Sequence, residues 1–147
     1  MIADDDPEDQ VLIQEAIKSI DIAIEYTSVF NGSQLLDLLL KRGAYKDNSQ
    51  STPDAVILDL NMPVLDGLGA LKEIKSNPLL KEIPIFIHNA RRKDDYSTEC
   101  RALGVAGQYV KPSTAEELKA ILREIYSICG GKLMFISPAK NFVAKEA

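Results

Sequence analysis

Basic residues are the minority in this chain, with 17 Lys and Arg against 22 Asp and Glu and a formal net charge of −5. Nonspecific binding of nucleic acid needs the opposite balance, because cations must neutralise the phosphates. Direct nucleic-acid binding is therefore not expected. Cysteine is scarce: Cys100 and Cys129 fit no metal-ligand spacing, which argues against a disulfide scaffold and leaves two reduced thiols. No apolar run approaches the roughly 20 residues that span a bilayer. No basic stretch leads into a hydrophobic signal core. Together these absences predict a cytoplasmic chain with no membrane association.

What is present suits one globular domain. The chain has 147 residues, 46% of them hydrophobic and 27% charged, enough for a single core and too few for two. Short apolar runs alternate with helical patterns. Met1-Ile2-Ala3 runs into Asp4-Asp5-Asp6, and Pro7 suits the first turn of a helix capped by Asp6, with Glu8 and Asp9 at its positive end. Leu12, Ile13, Ala16, Ile17 and Ile20 then recur at helical spacing.

Ile22 to Val29 reads as a strand, Asn31-Gly32-Ser33 as a turn, and Leu35 to Leu40 as a second helix. Gly43 to Pro53 is polar and reads as a long surface loop. Ala55 to Leu58 is unbroken apolar sequence, as in a strand buried on both faces, and it ends in Asp59. A helix is predicted over Leu68 to Lys75, a strand over Ile83 to Ile87, and a weak helix from Tyr96 to Leu103. A short fifth strand is predicted over Gln108 to Val110. Thr114 opens the last helix, with Glu117 placed for a capping box.

Five β–α units in succession predict a doubly wound α/β fold, a five-stranded parallel sheet with helices on both faces. In such sheets ligands sit beyond the carboxyl ends of the strands. Those positions hold Asp4 and Asp5, Asp59, Asn89 and Lys111. Three carboxylates converging on one crevice repel unless a cation lies among them, and an all-oxygen donor set suits Mg²⁺. A carboxylate beside such a metal can attack a phosphoryl group, with Lys111 as a second point charge.

Asp4-Asp5, the run Val56 to Pro63 through Asp59, then Asp66-Gly67 and Lys111-Pro112 together resemble the receiver domain of bacterial two-component response regulators. The resemblance covers residues 1–128, leaving 129–147 as a tail of unassigned role. It implies a flavodoxin-like strand order 2-1-3-4-5. It implies Asp59 as phosphoacceptor, Asp4 and Asp5 with Asp59 as holders of Mg²⁺, and the backbone carbonyl of Asn61 as a further ligand. Lys111 would pair with the phosphoryl group, and the bond before Pro112 would be cis. The donor would be a histidine kinase or phosphotransfer protein docking against the first helix, and the output a contact with a downstream protein.

Two positions depart from the family pattern. Asn89, followed by Ala90, stands where receivers carry the Thr or Ser that contacts the phosphoryl group. Its amide can still donate, from a longer and differently shaped side chain. Gln108 stands where an aromatic switch residue is usual, and alternation sends its neighbour Tyr109 to the opposite face. Asn89, Ala90 and Gln108 are thus the altered phosphoryl-contact or switch positions.

Other features have plainer readings. His88, the single histidine, reads as a packing residue rather than a catalyst. Arg91-Arg92-Lys93 reads as a solvated charge run, and Tyr96 and Tyr109 as candidates for a partner surface. Leu133 to Ile136 is apolar enough to pack on the domain or on another copy, which leaves a homodimer open. The expectation is a stand-alone receiver or phosphorelay intermediate that is no enzyme beyond its own phosphorylation and dephosphorylation. The rivals are a pseudo-receiver that binds partners without phosphorylation, and a small Mg²⁺-dependent phosphatase. Against the phosphatase, Asn61 stands where such enzymes often carry a general acid.

Overall fold

Strand polarity and helix placement follow from which side chains each strand sends to each face of the sheet. A computed structural model describes residues 1–90, 97–131 and the backbone of 142–143. In chain order the elements are β1 (Ile2–Ala3), α1 (Pro7–Ser19), β2 (Thr27–Val29), α2 (Gly32–Leu40), β3 (Val56–Leu58) and α3 (Gly67–Ser76). Then come β4 (Ile85–Asn89), α4 (Ser97–Ala102), β5 (Gly107–Val110), α5 (Ala115–Ile128) and β6 (Phe142–Val143).

The sheet is parallel, in the order β5-β4-β3-β1-β2-β6. The expected five-stranded order 2-1-3-4-5 is present, and the tail adds a sixth strand at the β2 edge by pairing Phe142 with Thr27 and Val143 with Ser28. Leu133 to Ile136 lies outside the described residues, as do Arg91 to Lys93 and Tyr96.

Alternation along the strands divides the core. Ala3, Val56, Leu58, Ile85 and Ile87 face one way and pack with Leu35 and Leu38 of α2, Leu71 and Ile74 of α3 and Cys100 of α4. Ile2 faces the other way, among Ile13, Ala16 and Ile17 of α1 and Leu118 and Leu122 of α5. Phe86 joins Ile125 and Cys129 on that same side. So α1 and α5 cover one face, and α2, α3 and α4 the other. All these side chains are buried, and the apolar area they remove from water is the main favourable term in folding.

Side chains cap the helix N-termini, among them the Asp6 expected from the sequence. Asp6 Oδ1 accepts from Glu8 N at 2.9 Å, Asn31 Oδ1 from Gln34 N at 2.8 Å, and Asp66 Oδ1 from Gly69 N at 2.7 Å. Thr114 Oγ1 accepts from Glu117 N at 3.2 Å, but Glu117 reaches back to Ser113 N at 3.3 Å rather than to the cap residue itself.

Three boundaries move. The second strand is confined to Thr27–Val29, with Ile22 and Ile24 packed beside the α1 cluster instead of paired along their length. The predicted loop from Gly43 holds a 3-10 turn that buries Tyr45. The fourth strand runs Ile85–Asn89, two residues later than the sequence suggests, because Ile83 and Pro84 lie in the turn that enters it. Asn89 is therefore the strand's last residue, not the first beyond it.

Candidate functional site

The ladder carries on for one rung past several strands, and that rung builds the site. Asp4 N donates to Val29 O at 3.1 Å, Asp59 N to Ala3 O at 2.9 Å, and Lys111 N to Asn89 O at 2.7 Å. Asp4, Asp59, Asn89 and Lys111 thus leave the sheet at a common rim. Buried Gln10 of α1 ties that rim to the helix, its Nε2 donating to Asp4 O at 3.0 Å and Val29 O at 2.9 Å.

Lys111 lies at the centre. Its Nζ sits 3.1 Å from Asp59 Oδ2, 3.0 Å from Asp4 Oδ2 and 2.7 Å from Asp9 Oδ2. Burial works to lower its pKa. Close pairing with Asp9 and Asp4, and the charges of Asp4 and Asp59, overturn that and hold the ammonium above the usual lysine range. Asp9 is a site residue that the sequence reading assigned only to helix capping. The signal was its place in the first turn of α1, two residues past the proline, on the strand-end side of the sheet.

The carboxylates respond to their surroundings. Asp4 is pushed up to about 6, first by burial and then by Asp59, against the pull of Asp6 N and Lys111. Burial also raises Asp5, which stays exposed, with the Asp59 charge adding to the shift. Asp4, Asp5 and Asp59 each offer an oxygen, and these three lie within 4.8 Å of one another. Asp4 Oδ2 is buried and faces the Lys111 ammonium at 3.0 Å. One cation cannot balance four carboxylates, so this donor set, all hard oxygen and net negative, fits a divalent ion such as Mg²⁺.

The β3–α3 loop frames the other side. Asn61 N donates to Asp59 Oδ1 at 3.1 Å, and Asn61 lines the same cleft as Asp5, Met62 and Asp66. Gly67 N donates to Leu60 O at 2.9 Å, an approach so close that a Cβ at Gly67 would lie 2.1 Å from Asp59 O. Between these anchors Val64 has φ +67°, and Leu65 N bonds to Pro63 O at 2.8 Å. A three-residue turn with that φ is the strained form, and a β-branched residue there is an outlier.

The relay positions are arranged differently. Asn89 is buried, its Oδ1 accepting from Asn61 Nδ2 at 3.4 Å, while its Nδ2 has no hydrogen-bond partner among the described residues. Ala90 is exposed. Gln108 is exposed on the α4 side and donates through Nε2 to Ser97 O at 2.9 Å. Tyr109 goes to the opposite face, stacked on Phe86 with centroids 6.4 Å apart, its hydroxyl pushed up to about 12 by burial and by Glu124. His88 is buried on that face, at the floor of a groove between α1 and α5, and among the described residues has no hydrogen-bond partner on either ring nitrogen. Burial, then Lys111, lowers it to about 4.

One implied feature is absent: the Lys111–Pro112 peptide is trans. Trans is the lower-energy form even before proline. Here Lys111 reaches all three carboxylates with it, so nothing in the geometry requires the cis form.

Comparison with known proteins agrees with this geometry. Residues 1–123 match the family model for the response regulator receiver domain. Response regulator Rcp1 of Synechocystis sp. is 33% identical over 95 residues, covering 65% of this chain and 63% of the relative. The chain thus spans less than two thirds of that relative's length. The structure of the phosphorylated cyanobacterial phytochrome response regulator RcpA aligns with TM-score 0.79 and 31% identity, over 92% of this chain and 96% of that one. The Mn²⁺-bound form of Rcp1 aligns with TM-score 0.76 and 29% identity, over 94% and 96%. With the family match spanning residues 1–123, most of its length, the chain belongs to the response regulator receiver domain family of two-component signalling.

Proposed function

We propose that this receiver takes a phosphoryl group onto Asp59 from a phosphohistidine on a histidine kinase or phosphotransfer protein, and signals by protein contact. The observation that carries the reading is Lys111, held 3.1 Å from Asp59 Oδ2 between Asp4 and Asp9. An Asp59 oxygen attacks phosphorus, the new O–P bond forms as the P–N bond breaks, and the histidine nitrogen keeps the electron pair and takes a proton. Asp4, Asp5, Asp59 and the backbone carbonyl of Asn61 would hold a divalent ion. Such an ion, when bound, neutralises charge on the phosphoryl oxygens. Lys111 supplies a fixed positive charge from the other side, already desolvated and oriented.

Further features support the reading. RcpA is described in its phosphorylated form and Rcp1 with Mn²⁺ bound. The groove between α1 and α5, about 210 Å³, is lined by Leu12, Ala16 and Leu118 and opens beside Lys111, where a donor histidine must arrive. Among the described residues no helix is long and apolar enough to cross a membrane, which is consistent with a cytoplasmic donor. On this reading the domain ends with α5 at Ile128, and catalysis is limited to its own phosphoryl group.

The test is intact mass after incubation with acetyl phosphate, with and without Mg²⁺, for the native chain and Asp59→Ala. The expected result is a gain of one phosphoryl group that requires both Mg²⁺ and Asp59. Failure to gain mass in the native chain would favour a pseudo-receiver that binds partners unphosphorylated.

A further inference from the structure

Resting on the reading that Asp59 carries the phosphoryl group, we propose that Asn61 and Asn89 act as one carboxamide pair. Asn61 positions Asn89 so that an Nδ2 N–H of Asn89 binds a phosphoryl oxygen.

Asn89 is 4% exposed, and among the described residues its Nδ2 has no hydrogen-bond partner although Oδ1 is engaged by Asn61. Buried polar groups are almost always paired, so an orphaned donor at the rim of a site calls for a ligand that accepts. The residues around it name the ligand's chemistry. Asp59 Oδ1 is already bonded by Asn61 N, and Asp59 Oδ2 by Lys111. An anionic oxygen added to Asp59, as a phosphoryl group supplies, would give the orphaned N–H an acceptor.

The orientation of the amide is set by its partner. Reversing Asn89 would bring its NH₂ against the Asn61 NH₂, donor against donor. Reversing both would leave a buried carbonyl oxygen facing the negative rim. Only the arrangement present offers N–H to an anion. Asn61 thus serves the phosphoacceptor twice, through its backbone N to Asp59 and through its side chain to Asn89. At 3.4 Å the side-chain contact is long, and a ligand on Asn89 Nδ2 would polarise and tighten it. No proton moves through the pair. With acetyl phosphate, an Asp59 oxygen bonds to phosphorus, the P–O bond to the acetyl group breaks, and acetate leaves with the electron pair.

The experiment is a double-mutant cycle on the full chain: Asn61→Ala, Asn89→Ala, the double variant, and Asn89→Ser. Two quantities are read, the rate of mass gain from acetyl phosphate and the affinity for beryllofluoride, a phosphoryl mimic. Asn89→Ala is expected to lower both by about tenfold. Asn61→Ala is expected to lower them by a smaller factor, about fivefold, and the double variant should be no worse than Asn89→Ala alone. Asn89→Ser keeps a donor and should recover to within about threefold of the native chain, which also keeps the test decisive if Asn89→Ala is unstable.

Effects of Asn61→Ala and Asn89→Ala that multiply in the double variant would overturn the pair. So would an Asn89→Ala chain within about twofold of native. Either result with Asp59 still phosphorylated removes only this inference. No phosphoryl or beryllofluoride uptake by the native chain removes the Asp59 reading, and the pair with it.

Discussion

The two sides of Asp59 are built to different standards. Toward α1 and β5, Lys111 meets Asp4, Asp9 and Asp59 at 2.7 to 3.1 Å in a largely buried cluster. Toward β4, the contact is one 3.4 Å amide pair with a donor left over, and Gln108 has turned outward to Ser97. Charge explains the first side: each acid needs the ammonium, so any looseness exposes a buried carboxylate to its like-charged neighbours. On the second side the groups are neutral, so a longer contact carries a smaller electrostatic penalty. The two sides can therefore be perturbed separately.

The largest break is Lys111→Ala. Removing the ammonium should slow phosphoryl uptake by about a hundredfold or more. It should also cost about 2–3 kcal/mol of stability in Mg²⁺-free buffer near neutral pH, because Asp4 and Asp59 lose their buried partner. Urea denaturation checks the second effect. Restoring much of the lost stability by lowering the pH below 6 would tie it to Asp4, which is neutralised there.

Acidity sharpens the same contrast. The folded pKa of Asp4, about 6, lies above its ordinary value, so its charge opposes folding above pH 6, and that penalty is relieved as pH falls toward 4. His88 has the opposite sign. Its folded pKa of about 4 lies below the ordinary value, so the unfolded chain takes up a proton first and stability is lost as pH falls from 6.5 toward 4. Saturating Mg²⁺ competes with the proton on Asp4, so its stabilising effect should be full at pH 7.5 and much reduced at pH 5. Thermal unfolding with and without Mg²⁺ at the two pH values measures this. Equal stabilisation at both would remove Asp4 from the metal site.

The tight side was legible in the sequence and the loose side only in outline, for a physical reason. Strand-end position is set by hydrophobic runs, so Asp4, Asp59 and Lys111 could be placed at one rim before any coordinates. Asp9 was read only as favouring the helix N-terminus, because helix periodicity reports the buried face and not which strand-end group a first-turn acid will meet. Asn89 and Gln108 stood out as departures, and alternation correctly sent Tyr109 to the other side. What those side chains bond to depends on loop paths. The pairing of Asn61 with Asn89 and of Gln108 with Ser97 had no trace in spacing. The isomer of the Lys111–Pro112 bond, trans here, was likewise not legible in the dipeptide.

A smaller effect is expected at the tip of the β3–α3 loop. Val64 is 85% exposed, so it contributes little packing to offset its φ of +67°. Val64→Asn or Val64→Gly should stabilise the chain by about 1 kcal/mol, since both tolerate that backbone better than a β-branched residue. A loss of stability in Val64→Asn would mean that the valine makes a contact worth more than the strain.

The smallest effect tests the loose side directly. The Gln108 hydrogen bond runs from an exposed edge strand to the first residue of α4, where water competes for both groups. Gln108→Ala should therefore lower global stability by only about 0.5 kcal/mol. Its local effect should be larger in proportion. Helix α4 has six residues and one buried side chain, Cys100, and is also held by the exposed Lys72–Glu99 ion pair at 2.7 Å. Amide exchange in α4 is expected to speed up about twofold to threefold while β4 stays unchanged. Exchange rising equally in α4 and β4 would show that Gln108 supports the whole β5 edge. Unchanged exchange would show that α4 is held by its core contacts alone. Only the first pattern makes Gln108 a tether between the sheet and α4.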